Sequence, residues 1–385
     1  MLNVEVKGIS FANKGAELML HAIIAQFAER GVPARFVVEP TGPYERRVTF
    51  GLWQKSRYIR KRINLLAPVS WLPRRLRHMF GIINEAELDL VLDASGFAFG
   101  DQWSALIAHD RLGSSIAKLR SRGVPVIVLP QALGPFERAD SQKAFKPVLA
   151  HASKVYARDD QSFEFCKKLY SSTENLKRCP DFTNLIKGIP SADFNAEEHQ
   201  LCFIPNSKML EKRADGDSYV EFMVAAIKAA QEAAAKPFIL IHEAEADRRL
   251  TRQIQAQLAT PVPVLDPGHA LKIKWIIGQS KAVVSSRFHG LVSALSQGVP
   301  VLATGWSHKY HELLADYGCA EQLVEINDGA TAALERLQQL LNDEAFYQQL
   351  KQTIIDKGEW QRQAVREMWD EVFDLLPQQA TAAGL

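Results

Sequence analysis

KAVVSSRFHGLVSALSQGVPVLATGWSHKY, Lys281 to Tyr310, is the stretch that sets the fold class of this chain. "KAVVSS" and "VPVLATG" are short apolar runs, the composition of strands buried on both faces of a parallel sheet, and "FHGLVSALSQ" between them reads as the crossover helix. Cations sit at both turns: Arg287 and His289 at the first strand-to-helix junction, His308 and Lys309 after the second strand. A buried α/β scaffold has no need of them there. Ser285 or Ser286 is the expected N-cap, which puts Arg287 and His289 in the first turn of the helix. Unpaired N–H groups and the helix dipole favour an anion at such a place. The arginine fork suits a carboxylate or phosphate, and an imidazole can donate a proton near neutral pH. His308 and Lys309 are expected to face the same crevice, with Ser286 beside it.

The same alternation runs outward in both directions. Upstream, strands are expected at "LNVEVKGI", "ARFVVE", "LDLVLDA", "PVIVLPQ", "KVYARD" and "LKRC", with "KGAELMLHAIIAQFAER" the first helix and further helices between the later strands. A polar segment, Lys187–His199, reads as a linker. The pattern then restarts with "LCFIPN", "PFILIH" and "VPVLD", and the tail from Thr331 to Leu376 is helical. The spacing predicts an α/β chain of two Rossmann-like, doubly wound domains, 1–188 and 199–330, facing a central cleft, followed by a helical segment over 331–385. Ligands of open parallel sheets bind beyond the C-terminal ends of the strands, so the cleft is the expected site.

Composition narrows the class of protein. The 385 residues are 47% hydrophobic and 23% charged, ordinary for a soluble globular chain. No secretion signal is legible at the N-terminus, no apolar run approaches the roughly 20 residues that span a bilayer, and the four cysteines are scattered. These point to a cytoplasmic protein without a zinc site or disulfide framework. The net charge of +2 conceals one basic stretch, 46–78, with ten Lys/Arg, no acid, and Trp53, Tyr58 and Trp71. Basic plus aromatic composition suits the anionic inner face of a membrane, while a solvated insertion with arginines paired elsewhere is the plainer reading. No nucleic-acid motif accompanies the charge.

"SSRFHGLVSALSQGVPVLATGWSHKYHELLADYG" resembles the C-terminal signature of the polysaccharide pyruvyl transferase family: a strand, Ser-x-Arg-x-His, a helix, Gly-x-Pro and a lysine. "NKGAELMLHAI", "LDASGFAFGDQW", "PQALGPF", "YARDDQS" and "CPDFTNL" agree with it, so the likeness covers most of the chain up to about residue 320. The resemblance implies a GT-B-like fold and transfer of a pyruvyl group from phosphoenolpyruvate onto a glycan or lipid-linked glycan as a cyclic ketal, with no cofactor. It also implies Arg287 as an anion-binding residue, His289 as general acid/base and Lys309 as a contact for the donor's phosphate or carboxylate.

Other candidates also stand at strand ends. Asn13, Gly15 and Glu17 open the first helix; relatives read Asn-x-Gly-Asp there, whereas Glu17 falls one position later, a rotation of about 100°. Glu17 is a candidate for activating an acceptor hydroxyl, or else a first-turn acid favoured by the helix dipole. Asp93, Gly96 and Asp101 lie on the "LDASGFAFGDQW" loop, where glycine permits close backbone approach to a ligand. Asn206 and His242 end strands of the second domain and are candidate linings of the donor pocket. Glu243 beside His242 lacks the partners for a metal site. Two further functions remain open: a glycosyltransferase using a nucleotide-sugar donor, and a glycan-binding family member without turnover.

Overall fold

The computed structural model describes residues 1–60, 63–172, 174–212, 217–243, 245–305, 307–324 and 331–376. The chain divides into two compact units: Met1–Phe11 with Met19–Phe182 and Val365–Leu385, and Ala12–Leu18 with Thr183–Ala364.

The first unit is built on strands β1 (Leu2–Lys7), β2 (Ala34–Val38), β3 (Trp53–Lys55), β6 (Ile82–Ile83), β7 (Leu90–Asp93), β8 (Val126–Gln131), β9 (Lys154–Ala157) and β10 (Leu176–Arg178). A separate antiparallel ladder pairs β4 (Ile59–Arg60) with β5 (Ile63–Asn64). The main sheet runs β10-β9-β8-β7-β1-β2-β3-β6 and every neighbouring pair is parallel. The chain works outward from β1 to β6, then returns to the other side of β1, so the order reverses between β1 and β7. Helices α1 (Lys14–Glu29), α2 (Tyr44–Thr49), α3 (Arg74–Met79), α4 (Ala105–Ala108), α5 (Ile116–Ser121), α6 (Ala139–His151) and α7 (Asp160–Leu169) make the connections. β7 and β8 are buried along their whole length, which explains why they read as apolar runs, whereas β1, equally buried, alternates with Asn3, Glu5 and Lys7, and Glu5 and Lys7 pair with each other (3.0 Å).

The second unit carries β11 (Leu201–Ile204), β12 (Pro237–Leu240), β13 (Val264–Leu265), β14 (Ala282–Ser285), β15 (Val301–Thr304) and β16 (Leu323–Val324). Its parallel sheet runs β13-β12-β11-β14-β15-β16, the doubly wound order 3-2-1-4-5-6, with the reversal between β11 and β14. Between them lie α8 (Lys208–Lys212), α9 (Asp217–Glu232), α10 (Glu245–Gln255), α11 (Ala270–Gln279), α12 (Phe288–Leu295) and α13 (His308–Asp316). Then follow α14 (Thr331–Asn342) and α15 (Glu344–Asp374).

Four sequence expectations change. The chain passes from one unit to the other at Phe182/Thr183, so the Lys187–His199 stretch lies within the second unit rather than between domains. The C-terminal helical segment is interrupted at Asp343, whose carboxylate accepts from Phe346 N–H (3.0 Å) and so caps α15. Nor is that segment a separate piece. Leu350 and Ile354 are in the core of the second unit, while Trp369 meets Phe182 and Tyr156 donates to Glu371 (2.9 Å) in the first. The basic segment 46–78 is not an insertion thrown off the sheet: β3 is one of the sheet's strands. Lys55 is buried and bonded to Glu5 (2.9 Å), and Arg77 is buried against Glu87. Lys61 and Arg62 of that segment, and 377–385 of the tail, lie outside the described residues.

Candidate active site

The reversal between β11 and β14 places the loops after β11, β12, β14 and β15 on one edge of the second unit's sheet, the position where ligands of such sheets are held. Ala12–Leu18, which includes the first turn of α1, belongs to the same unit. Beneath the loops lies a closed hydrogen-bond layer. Asn206 Nδ2 donates to the Ser286 carbonyl (2.7 Å) while its Oδ1 accepts from Lys208 N–H (3.0 Å). The Ser286 hydroxyl bonds Tyr219 (3.0 Å) and Thr304 (2.6 Å), and Tyr310 donates to the Ser286 carbonyl (3.0 Å). Asn206 and Ser286 thus spend their polar atoms on fixing the β14–α12 turn.

That turn differs in detail from the expected one. α12 starts at Phe288 with Arg287 as its N-cap residue, and the Ser285 hydroxyl accepts from Arg287 N–H (3.0 Å) before the helix begins. Neither serine caps the helix. The Arg287 guanidinium, buried, is gripped by Glu243 at Nη1 and by Asp247 at Nη2. Asp247 is fully buried and also accepts from Ser207 N–H (3.1 Å) and Glu243 N–H (3.0 Å). Arg287 therefore clamps the β14–α12 turn to the β12–α10 turn, and only its Nε lacks a hydrogen-bond partner among the described residues. An incoming anion meets a fork already held by two carboxylates, which makes Arg287 more a positioning residue than an open anion receptor.

His289 lies beside Gly15. A methyl group built on Gly15 would fall 2.6 Å from His289 Cγ and 2.8 Å from Cε1, closer than real carbon contacts allow. Glycine is required here by close approach, since only its missing side chain leaves room for the imidazole. Asn13 accepts from Ala16 N–H (3.1 Å) and so caps α1, a structural use for that residue. Lys14, which sequence reasoning passed over, bonds Glu17 (2.7 Å) and the Gly268 carbonyl (2.7 Å). The other Glu17 oxygen accepts from Ala270 N–H (3.4 Å) at the start of α11. Glu17 and His269 offer metal-ligating atoms within 4.8 Å of one another, but the Lys14 ammonium already supplies the positive charge beside that carboxylate.

The electrostatics favour a neutral imidazole among cations. His242 is buried, and its Nδ1 has no hydrogen-bond partner among the described residues. Burial, then Arg287, His289 and Lys14, hold its pKa well below the ordinary histidine value. His308 and Lys309 open α13, and the Lys309 ammonium sits over the Phe288 ring (5.3 Å) next to Arg287 and His289. Around His242 the second unit thus brings Lys14, Arg287 and His289, with Gly15 against His289, Glu17 on Lys14, and Lys309 over the Phe288 ring. Lys14 and Asp247 carried no signal beyond their places in the first turns of helices.

Asp93, Gly96 and Asp101 belong to the first unit, at the ends of β7 and in the loop after it. Asp93 is fully buried; one oxygen accepts from Gln131 (2.9 Å) and Ser95 N–H (3.2 Å), and the other has no hydrogen-bond partner among the described residues. Gly96 has a left-handed φ of 71°, and Asp101 accepts from Glu137 N–H (2.6 Å) at the entry to α6. Gly96 and Asp101 shape the loop, whereas Asp93 keeps a lone carboxylate oxygen at the order reversal of its own sheet.

Solved structures share this architecture. The MnaA protein of S. aureus with UDP superposes with a TM-score of 0.62 at 11% identity, over 98% of each chain. UDP-GlcNAc 2-epimerase from Neisseria meningitidis bound to UDP-GlcNAc gives 0.60 at 12% identity, over 97% of this chain and 100% of that one. HepE of Anabaena in complex with UDP-glucose gives 0.56 at 12%, over 96% and 100%. At such identities the likeness speaks for the fold, which is GT-B-like. No protein with a curated description matches the sequence. The family model described as polysaccharide pyruvyl transferase matches residues 13–308, from the Asn13 cap of α1 to the first residue of α13. That span holds every second-unit candidate except Lys309, which follows it directly, and the chain belongs to the polysaccharide pyruvyl transferase family.

Proposed function

We propose that the protein transfers the pyruvyl group of phosphoenolpyruvate onto two hydroxyls of a glycan precursor, releasing phosphate and leaving a cyclic ketal. The observation that carries this is the second unit's cluster: His289 seated against Gly15, beside the neutral His242 and the cations Lys14, Arg287 and Lys309. Phosphoenolpyruvate carries a carboxylate and a phosphate, so it calls for several positive groups. Lys14 and Lys309 are assigned to them, with Arg287 positioning the turn that carries His289. His289 gives a proton to the methylene carbon as a sugar hydroxyl adds to the adjacent carbon. Phosphate then leaves from that carbon, and the second hydroxyl closes the ketal. Neutral His242 is suited to accept a hydrogen bond from a sugar hydroxyl rather than its proton, since its pKa is held well below the ordinary value, and the hydroxyl protons pass to the departing phosphate and back to His289. Incubation with phosphoenolpyruvate and a panel of glycans should release phosphate in step with ketal formation, and His289→Ala should lower the rate by about 10²–10⁴-fold. Absence of both products over a broad panel, with phosphoenolpyruvate giving no thermal protection, overturns the proposal.

A second reading keeps the fold and exchanges the donor for a nucleotide sugar. The 3-2-1-4-5-6 order of the second sheet and the UDP-bearing structural neighbours favour it. Protection by UDP but not by phosphoenolpyruvate would select this reading. A glycan-binding member without turnover is the third, and an unaltered glycan in cells carrying only His289→Ala protein, compared with wild type, would support it.

The acceptor is assigned to the inner face of a membrane. Among the described residues no helix is long and apolar enough to cross one. Trp71, Met79 and Phe80 are 84%, 77% and 73% exposed, and Leu72 and Leu76 are exposed beside them. Leu76 and Met79 on α3, with Phe80 directly after it, are exposed beside buried Arg77, and Arg74 and Arg75 are exposed in its first turn. Such a surface suits anionic lipid, with aromatic and aliphatic groups entering the headgroup region and arginines meeting phosphate.

A further inference from the structure

A second charged site lies wholly within the first unit. A cavity of about 340 Å³ opens where β3 and β6 end and α5 finishes. Four cations line it: Lys55 at the end of β3, Arg57 two residues on, Lys118 in α5 and Arg122 at its C-cap. Their one acidic companion in the lining is Glu85. Glu85 is 3.4 Å from Lys55 Nζ, 3.4 Å from Lys118 Nζ and within 4.0 Å of Arg122 Nη1. Burial would raise the Glu85 carboxyl, but Lys55, Lys118 and Arg57 together hold its pKa below the ordinary value.

The charges do not close. Behind Glu85, Lys55 also bonds Glu5, which is shared with a second buried lysine, Lys7 (3.0 Å). Five cations thus converge on Glu85 and Glu5, with Glu39 reaching only Lys7 at 3.9 Å. Arg57 spends Nη2 on the Asp110 carbonyl (3.1 Å), while its buried Nη1 has no hydrogen-bond partner among the described residues. Converging like charges repel, and a buried guanidinium nitrogen left without an acceptor is costly. One more anion in the cavity would relieve both.

The rest of the lining says which anion. Ser56, Asn64, Ser70 and Asn84 contribute hydroxyl and amide groups, and Ala86 is the one apolar side chain. These groups are ordered before any ligand arrives: Ser70 donates to Ser56 (3.1 Å), and Asn84 Nδ2 to the Ser70 carbonyl (3.1 Å). Among the described residues no aromatic ring lines the cavity to stack a base, so a nucleotide is a poor match. A polyhydroxylated anion matches well. We propose that this cavity binds a sugar bearing a phosphate or carboxylate. It deepens the acceptor side of the proposed function by giving the glycan a charged unit to be held by. Because it is tested by binding, its outcome is separate from turnover.

Titration calorimetry of the full chain with glucose 1-phosphate, glucuronate, inorganic phosphate and glucose tests this. The charged sugars should bind and glucose should not, with glucose 1-phosphate or glucuronate tighter than inorganic phosphate. The two arms tell phosphate from carboxylate. Lys118→Ala with Arg122→Ala removes two partly exposed cations and should weaken the charged sugar on the order of tenfold, leaving phosphoenolpyruvate affinity and thermal stability unchanged. Glu85→Gln removes the internal counter-ion and should tighten the charged sugar severalfold. If the cations serve only Glu85, the double variant leaves sugar affinity unchanged and Glu85→Gln tightens nothing, which overturns the proposal. Equal binding of inorganic phosphate and glucose 1-phosphate overturns the assignment to a sugar.

Discussion

Replacing Gly15 with alanine tests the contact on which the active-site reading rests. Alanine is the better helix former, worth at most about 1 kcal/mol, and less in a first turn such as this one. Against that gain, the new methyl would sit 2.6 Å from His289 Cγ, against ordinary carbon contacts of roughly 3.5–4 Å. The ring must shift by about 1 Å, and overpacking of this kind costs roughly 1–3 kcal/mol. Gly15→Ala should therefore destabilise the wild-type chain by about 0–2 kcal/mol. In a His289→Ala background the ring is gone and the sign should reverse, alanine at 15 becoming neutral or stabilising by up to about 1 kcal/mol. The coupling energy of the cycle, roughly 1–3 kcal/mol, is the quantity sought. Scanning calorimetry of the full chain and the three variants measures it. If the proposed chemistry holds, Gly15→Ala should also lower kcat by about 10²-fold, since a 1 Å misplacement of a proton donor is enough for that. Gly15→Ala stabilising both backgrounds equally would refute the contact, whatever the reaction proves to be.

Three further outcomes are expected. Glu5 is fully buried; burial would raise its carboxyl pKa, but Lys7 and Lys55 outweigh it and bring the value to about 2 from an ordinary 4.5. A folded-state value below the unfolded one gives stability that is complete above pH 4.5 and drains away as pH falls toward 2. Lys55→Met should cost about 3–5 kcal/mol at pH 7 and flatten that acid limb in a circular-dichroism titration. For His242, burial, Arg287, His289 and Lys14 hold the folded-state pKa well below 6.5, so the unfolded chain takes up a proton first as pH drops. Wild type should lose more stability between pH 7 and 5 than His242→Gln, and equal losses would contradict the neutral buried imidazole. Trp71→Ala with Phe80→Ala should lower co-sedimentation with anionic vesicles about tenfold, and Arg74→Gln with Arg75→Gln should weaken its salt sensitivity. Binding that ignores both lipid charge and salt would remove the membrane assignment.

Much of the architecture was legible because parallel strands are coded locally. "LCFIPN", "PFILIH", "KAVVSS" and "VPVLATG" became β11, β12, β14 and β15 within a residue or two, since a strand covered on both faces must be apolar throughout. The Arg287–His289 turn was legible for the same reason, as it follows such a run directly. The basic segment misled because charge counting does not say where a cation's partner lies. Lys55 reads as one of ten exposed cations, yet it ends a strand of the sheet, 1% exposed, with its ammonium on Glu5.

By itself, then, the sequence determined the two doubly wound sheets, the strand-end placement of the candidate residues and the family signature. All of these follow from periodicities of a few residues. Only the tertiary structure decided that Arg287 is held by Glu243 and Asp247, that Gly15 makes room for His289, and that His242 stays neutral. An acid in the first turn of a helix, such as Asp247, has the same local pattern whether it faces water or a guanidinium. Pairing and desolvation depend on which distant segment packs against it, and the sheet order sets that.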